Sequence, residues 1–335
     1  MRKFQKSIFI LAAFILLILI WSFWRVPVKD ASKFGVTYSG RFAEELGLNP
    51  RDTFVHILDN LGAREIRVGI YWDKAEPEEG KYVFNDIDFY LSEAAKRNAK
   101  IIIALGRKLP RWPECFRPAW VLSHPNEEVF EKEKLLEFIK IAVTRYKENS
   151  ALKYWQVENE PFLNFGSNCP LFGGEFLDKE ISLVKSVDQV HSVLITDSGE
   201  LSLWVSAASR GDVFGTTMYR KIWSRFFGYI TYPLPPGFFR VKRALAELFI
   251  KPKPMIVSEL QAEPWVSGSF GSLAYEDQMK FFNFADLKNN ISYAKETGFD
   301  EFYLWGVEWW YWLKLHDHPE FLDYAREIIK NPTLK

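Results

Sequence analysis

The sequence predicts an α/β fold, a (β/α)8 TIM barrel preceded by an N-terminal transmembrane helix. Eight short apolar runs alternate with amphipathic segments of helical period along residues 34–335. The 335-residue length accommodates one such barrel, of about 250 residues, with insertions. No Gly-x-Gly-x-x-Gly fingerprint follows the first run, which argues against a doubly wound dinucleotide-binding sheet. No repeat, low-complexity tract or linker marks a second soluble domain.

The N-terminus is read apart from the barrel. Residues 1–7 form a basic flank with Arg2, Lys3 and Lys6, and the 17 residues from Ile8 to Trp24 are apolar except for Ser22. A membrane-spanning helix needs roughly 17–25 such residues, so this run sits at the short end. No A-x-A-like cleavage site precedes the barrel, so an uncleaved anchor is expected over a removed signal peptide; secretion after cleavage is the alternative. Residues 25–33 are then a short linker. Arg25, Lys29 and Lys33 partly balance the basic flank, but an export-type start favours placing the barrel outside the cytoplasm.

The strands are expected at "FGVTY" (34–38), "EIRVGIY" (65–71), "KIIIALG" (100–106) and "LKYWQVE" (152–158). They continue with "VLIT" (193–196), "DVFGTT" (212–217), "PMIVSE" (254–259) and "EFYLW" (301–305). Between the first two, Asn49-Pro50 opens a helix as cap and first-turn proline, and Gly62 closes it. Apolar residues recur at helical spacing in 129–146, 174–190 and 276–298.

In such a barrel, functional residues gather at the C-terminal ends of the strands. The fourth strand runs into "WQVENEP" and ends in Asn159 and Glu160; the seventh, "MIVSEL", ends in Glu259. Arg67 lies in the second, Tyr219 follows the sixth, and Trp305 ends the eighth. A carboxylate at a buried strand end is costly without a compensating role. The structural alternatives are a strand-end salt bridge for Glu160 and a helix cap for Glu259.

At "WQVENEP", "MIVSEL" and "FYLWGVEWW" the chain resembles the retaining glycoside hydrolases of clan A. The segment "VGIYWDKAEPEEGKYVFNDID" is similar to the stretch after the second strand in several of its families, and the resemblance covers about residues 34–330. It implies that Glu160 is the general acid/base and Glu259 the nucleophile. Asn159 would bond the sugar 2-hydroxyl, Arg67 and Tyr219 would hold the nucleophile, and Trp305 would floor the sugar site. The implied activity is hydrolysis of O-glycosidic bonds in a β-linked glycoside or polysaccharide by double displacement, without a cofactor. A transglycosylase using the same covalent intermediate, or a non-catalytic carbohydrate-binding barrel, are the alternatives.

The chain also departs from that pattern. Thr217 stands where several clan members carry a His, and "LGRKLPRWPE" replaces a third-strand end that carries a His in others. Arg107, Trp112 and Glu114 are the local replacements, with Trp112 a substrate-binding candidate. Glu263 and Glu308, just past strand ends, are either substrate contacts or solvated loop acids. Glu158 is expected to be structural, with a base such as Arg67 as its partner. "HDHPE" (316–320) reads as a loop, since no further ligands stand at metal-site spacing.

Cys115 and Cys169 are the only cysteines and fall in the loops after the third and fourth strands, which adjacent strands place side by side. In an exported domain such a pair is expected to form a disulfide. The long loop after the sixth strand carries Trp223, Phe226, Phe227 and Tyr229, expected as a cleft wall or a packed flap. With 43 basic and 43 acidic residues and no basic tail, the chain offers nucleic acid no electrostatic footprint. The expected partners are a carbohydrate and, through the N-terminal run, a membrane; a monomer is expected.

Overall fold

A computed structural model describes residues 32–331, apart from 168, 225–226, 267–269 and 271–272. The apolar run 8–24, its basic flank, most of the linker and Phe226 lie outside the described residues. Among the described residues no helix is long and apolar enough to cross a membrane.

Eight parallel strands close into a barrel: β1 (Lys33–Tyr38), β2 (Glu65–Gly69), β3 (Lys100–Leu105), β4 (Leu152–Val157), β5 (Ser192–Asp197), β6 (Val213–Met218), β7 (Met255–Gln261) and β8 (Glu301–Trp305). Each pairs with its sequence neighbour, and β8 returns to β1 in the register Lys33↔Glu301 to Thr37↔Trp305. All eight match the expected runs within two residues. A two-stranded antiparallel hairpin, Lys221–Ser224 with Gly228–Thr231, rises from the loop after β6.

Cap chemistry sets the helix ends. The Asn49 side chain accepts from the N–H groups of Arg51 and Asp52, and Pro50 occupies the first turn of Pro50–His56. The last turn widens into a π-helical stretch, Ile57–Leu61, which Gly62 ends in the left-handed region at φ 79°. Two helices differ from the sequence reading. Residues 276–298 are not one helix but two, Tyr275–Phe281 and Phe284–Lys295, because Asn283 and Asp286 form a reciprocal capping box that restarts the chain. The helix at 174 stops at Val187, where Asp188 turns its carboxylate to the N–H groups of Val190 and His191 and to the Trp155 indole.

The main core fills the space between barrel and helices, with Trp72, Phe138 and Trp155 fully buried. Inside the barrel lies a smaller apolar layer of Ile102, Leu194, Val213, Ile256 and Tyr303. Side chains alternate along a strand, so the next inward positions toward the C-terminal ends follow two residues later. There the interior turns polar: Gln156 on β4, Thr196 on β5, Ser258 on β7, and Arg67 on β2 are all buried. The apolar layer thus floors a polar chamber.

Candidate active site

Arg67 is the centre of that chamber and is wholly buried. Its guanidinium donates from Nε to Gln156 Oε1 at 2.6 Å, from Nη1 to Glu259 Oε1 at 2.8 Å, and from Nη2 to Asn159 Oδ1 at 2.8 Å. One planar fork from β2 therefore fixes side chains on β4 and β7, as a point-charge lysine would not. Tyr219, just past β6, donates its hydroxyl to the other Glu259 oxygen at 3.0 Å. Both oxygens of Glu259 have donors, one of them charged. Burial, followed by the Glu259 charge, holds the Tyr219 phenol well above its usual range, so it remains a donor.

The end of β4 is bent to present Glu160. Glu158 and Glu160 both take left-handed backbone angles, φ 58° and 45°. Each such residue costs about 1–3 kcal/mol and persists only when its surroundings over-determine it. Here they do. The Glu158 carboxylate accepts from the N–H groups of Arg107 at 2.9 Å and Lys108 at 2.7 Å. Gly106 is required for that approach, since a Cβ there would lie 2.5 Å from Glu158 Oε1. Glu160 N–H is anchored by Thr196 Oγ1 at 3.0 Å. The structural role expected for Glu158 stands, but its partner is the β3 loop and not Arg67, whose donors are taken.

The Glu160 carboxyl receives the Thr217 hydroxyl at 3.2 Å. Burial foremost, then the charges of Glu259 and Glu114, push its pKa well above the carboxylate range, against the opposing Lys108 ammonium. Two carboxyls in one chamber thus have unlike surroundings: Glu259 faces a cation and a phenol, Glu160 faces other acids.

The loop after β3 forms a tight hairpin, with Lys108 bridged to Cys115 and its tip at Arg111–Glu114. Cys115 and Cys169 are joined by a disulfide, Cα–Cα 5.5 Å, tying this hairpin to the loop after β4. The crosslink closes a separation of 54 residues. Cys115→Ser/Cys169→Ser is expected to lose about 2–4 kcal/mol of stability, read as a lower thermal midpoint. An unchanged midpoint in the oxidised protein would show that the loops hold without it.

Arg111 reaches from the hairpin across the barrel mouth. It pairs with Glu263 and donates to Glu308 at 2.7 Å, and its guanidinium lies 4.2 Å from the Trp305 ring centroid. Glu263 and Glu308 are not solvated loop acids: both are buried, and Glu308 also accepts the Ser39 N–H. Burial, against the pull of Arg111, pushes Glu263 to about 7. Glu308, a substrate-contact candidate from the sequence, is wholly covered and accepts from Arg111. Trp305 is buried to 8 % exposure with Arg111 over one face. Arg107 is turned outward from the chamber, bonded to Glu131 and the Pro170 carbonyl.

Trp112 stands at the hairpin tip, 64 % exposed. It begins a run of edge and tilted contacts, Trp112–Phe165–Trp265–Tyr219, with centroids 6.0, 5.7 and 5.2 Å apart. That run ends on the tyrosine that holds Glu259. In the hairpin after β6, Tyr229 stacks on Phe281 at 4.1 Å, while Phe227 is 79 % exposed. Sequence reading missed Lys108, Arg111, Thr196, Phe165 and Trp265; the one available signal was the three bases of "GRKLPRWPE" just past the third strand. Among the described residues no group of three acids, histidines or cysteines is arranged to hold a metal ion.

No protein-family model matches the chain. It is similar to β-galactosidase BgaA of Clostridium cellulovorans, 24% identical over 190 residues, covering 51% of this chain and 29% of that protein. The chain thus spans less than a third of that relative. Its fold is similar to that of the exo-β-1,4-mannosidase Op5Man5 from Opitutaceae bacterium strain TAV5, with TM-score 0.60 and 14% identity. That likeness covers 93% of this chain and 61% of the mannosidase. The endo-glycoceramidase II of a Rhodococcus species gives TM-score 0.52 and 14% identity, covering 83% of this chain and 75% of that one. The fold likeness to these solved structures therefore extends over the whole barrel.

Proposed function

We propose that the chain is a retaining β-glycosidase, with Glu160 as acid/base and Glu259 as nucleophile. The observation that carries this reading is the unlike environment of the two carboxyls: one whose pKa burial and neighbouring acids raise well above the carboxylate range, the other gripped by Arg67 and Tyr219. Glu160 gives its proton to the leaving oxygen while Glu259 attacks the anomeric carbon. Glu160, now a carboxylate, then takes a proton from the water that releases the sugar. Asn159 Oδ1 is occupied by Arg67, which leaves its amide N–H groups for the sugar 2-hydroxyl. The β-galactosidase and mannosidase likenesses support a β-linked substrate.

The aromatic run from Trp112 to Tyr219 favours a second reading, transglycosylation, because ring faces beside the nucleophile can hold an acceptor sugar. The apolar run 8–24 supports a membrane-anchored protein with the barrel, residues 34–335, outside the cytoplasm.

A panel of aryl β-glycosides tests the reaction. The first product seen by NMR is expected to keep the β configuration; an α product would overturn the double displacement. Activity requires protonated Glu160, whose pKa is raised, so kcat/KM is expected to hold above the ordinary carboxyl range. It should fall as pH rises through the raised value.

A further inference from the structure

We propose that Glu114, held by Lys108, is a sugar-binding carboxylate that accepts a hydrogen bond from a ring hydroxyl of the glycone beside Glu160 and Glu259. This rests on the glycosidase reading and names a residue that sets its specificity.

Closure of the hairpin does not depend on this pair. The hairpin is already closed by its backbone, Leu109 N–H to Glu114 C=O at 2.9 Å and Phe116 N–H to Arg107 C=O at 2.8 Å, and by the disulfide at Cys115. Lys108 uses its backbone to bind Glu158 and Asn159, and its Nζ donates to the Glu160 carbonyl at 3.2 Å. The same Nζ lies 3.1 Å from Glu114 Oε2. That oxygen is buried and, beyond this ion contact, accepts no aligned hydrogen bond. A buried carboxylate with an unfilled oxygen is poorly compensated, and desolvation of an ion pair is not repaid by one partner. A hydroxyl donor from a bound ligand would fill it.

The position is also right. Lys108 links Glu114 to the backbone of the proposed acid, and Glu114 is close enough for its charge to act on both Glu160 and Glu259. Burial, opposed by Lys108 and reinforced by Glu259, puts Glu114 at about 7, a value at which donation from a neutral hydroxyl would favour the charged form.

The test is a series of mono-deoxy aryl glycosides of whichever parent glycoside the full-length protein turns over fastest, assayed with wild type, Glu114→Ala and Glu114→Gln. Wild type is expected to penalise one deoxy analogue by about 10- to 150-fold in kcat/KM, as for a hydrogen bond to a charged group. In Glu114→Ala that one penalty should shrink below about 3-fold while the others stay. Glu114→Gln, which keeps the shape if the alanine variant fails to fold, should reduce the same penalty to about 2- to 10-fold. A residue with only a structural role would lower all rates together. Unchanged ratios across the series, or a wild type indifferent to every deoxy position, would overturn the assignment. Turnover of the parent glycosides tests the glycosidase reading on its own, so the two failures are distinguishable.

Discussion

Glu259→Ala is expected to lose turnover by at least about 10⁴-fold, even on aryl glycosides with excellent leaving groups, because no covalent intermediate can form. Glu160→Ala should behave differently. Activated leaving groups need little protonation, so the intermediate still forms, and its breakdown stalls for want of a base, giving a burst and a slow steady state. Azide needs no deprotonation and should rescue that variant, releasing a β-glycosyl azide from a β-substrate. In Glu259→Ala azide fills the vacated space and attacks directly, giving the α product. The variants thus differ in stereochemistry as well as rate. An α-azide from Glu160→Ala, or wild-type rates in either, would reverse or remove the roles assigned to the pair.

Arg67→Met is expected to be the most damaging single change in the chamber. It leaves the Glu259 carboxylate without its cation and takes donors from Gln156 and Asn159, all buried. Breaking a buried ion pair from one side costs about 3–5 kcal/mol. Thermal unfolding should show a loss of that order, together with at least about 10²-fold in kcat/KM. Arg67→Lys should recover little, since an ammonium cannot reach three acceptors in a plane. A lysine variant with near-native stability and rate would mean that charge alone, and not the fork, organises the chamber.

Much of this was legible beforehand because strands advertise themselves locally. The eight apolar runs fix the barrel, and the barrel fixes where strand ends meet, so Glu160, Glu259, Arg67 and Tyr219 could be placed on one face from spacing alone. What stayed hidden depends on side chains choosing among partners. Glu158 is bound by backbone N–H groups of the β3 loop, which no residue type announces. Arg111 was not singled out in the sequence and Glu308 only as a substrate contact or loop acid, yet the two meet beside Trp305, because a hairpin folds one over the barrel mouth. The break at Asn283 was missed because the flanking apolar pattern continues through it, while a cap of two side chains outweighs that pattern.

The apolar layer of Ile102, Leu194, Ile256 and Tyr303 closes the barrel below the chamber. That layer separates the chamber from the opposite pole, where Lys153 is held by Glu65 and Glu301 and the Tyr303 hydroxyl donates to Glu301. On the proposed glycosidase reading, a leaving group, an incoming water and any competing acceptor would approach the acid pair beside the Trp112–Phe165–Trp265 run. On that reading the aromatic run, and not the barrel's interior, is where hydrolysis and transfer would compete. Narrowing or widening the rim should change their ratio while leaving the acid pair untouched.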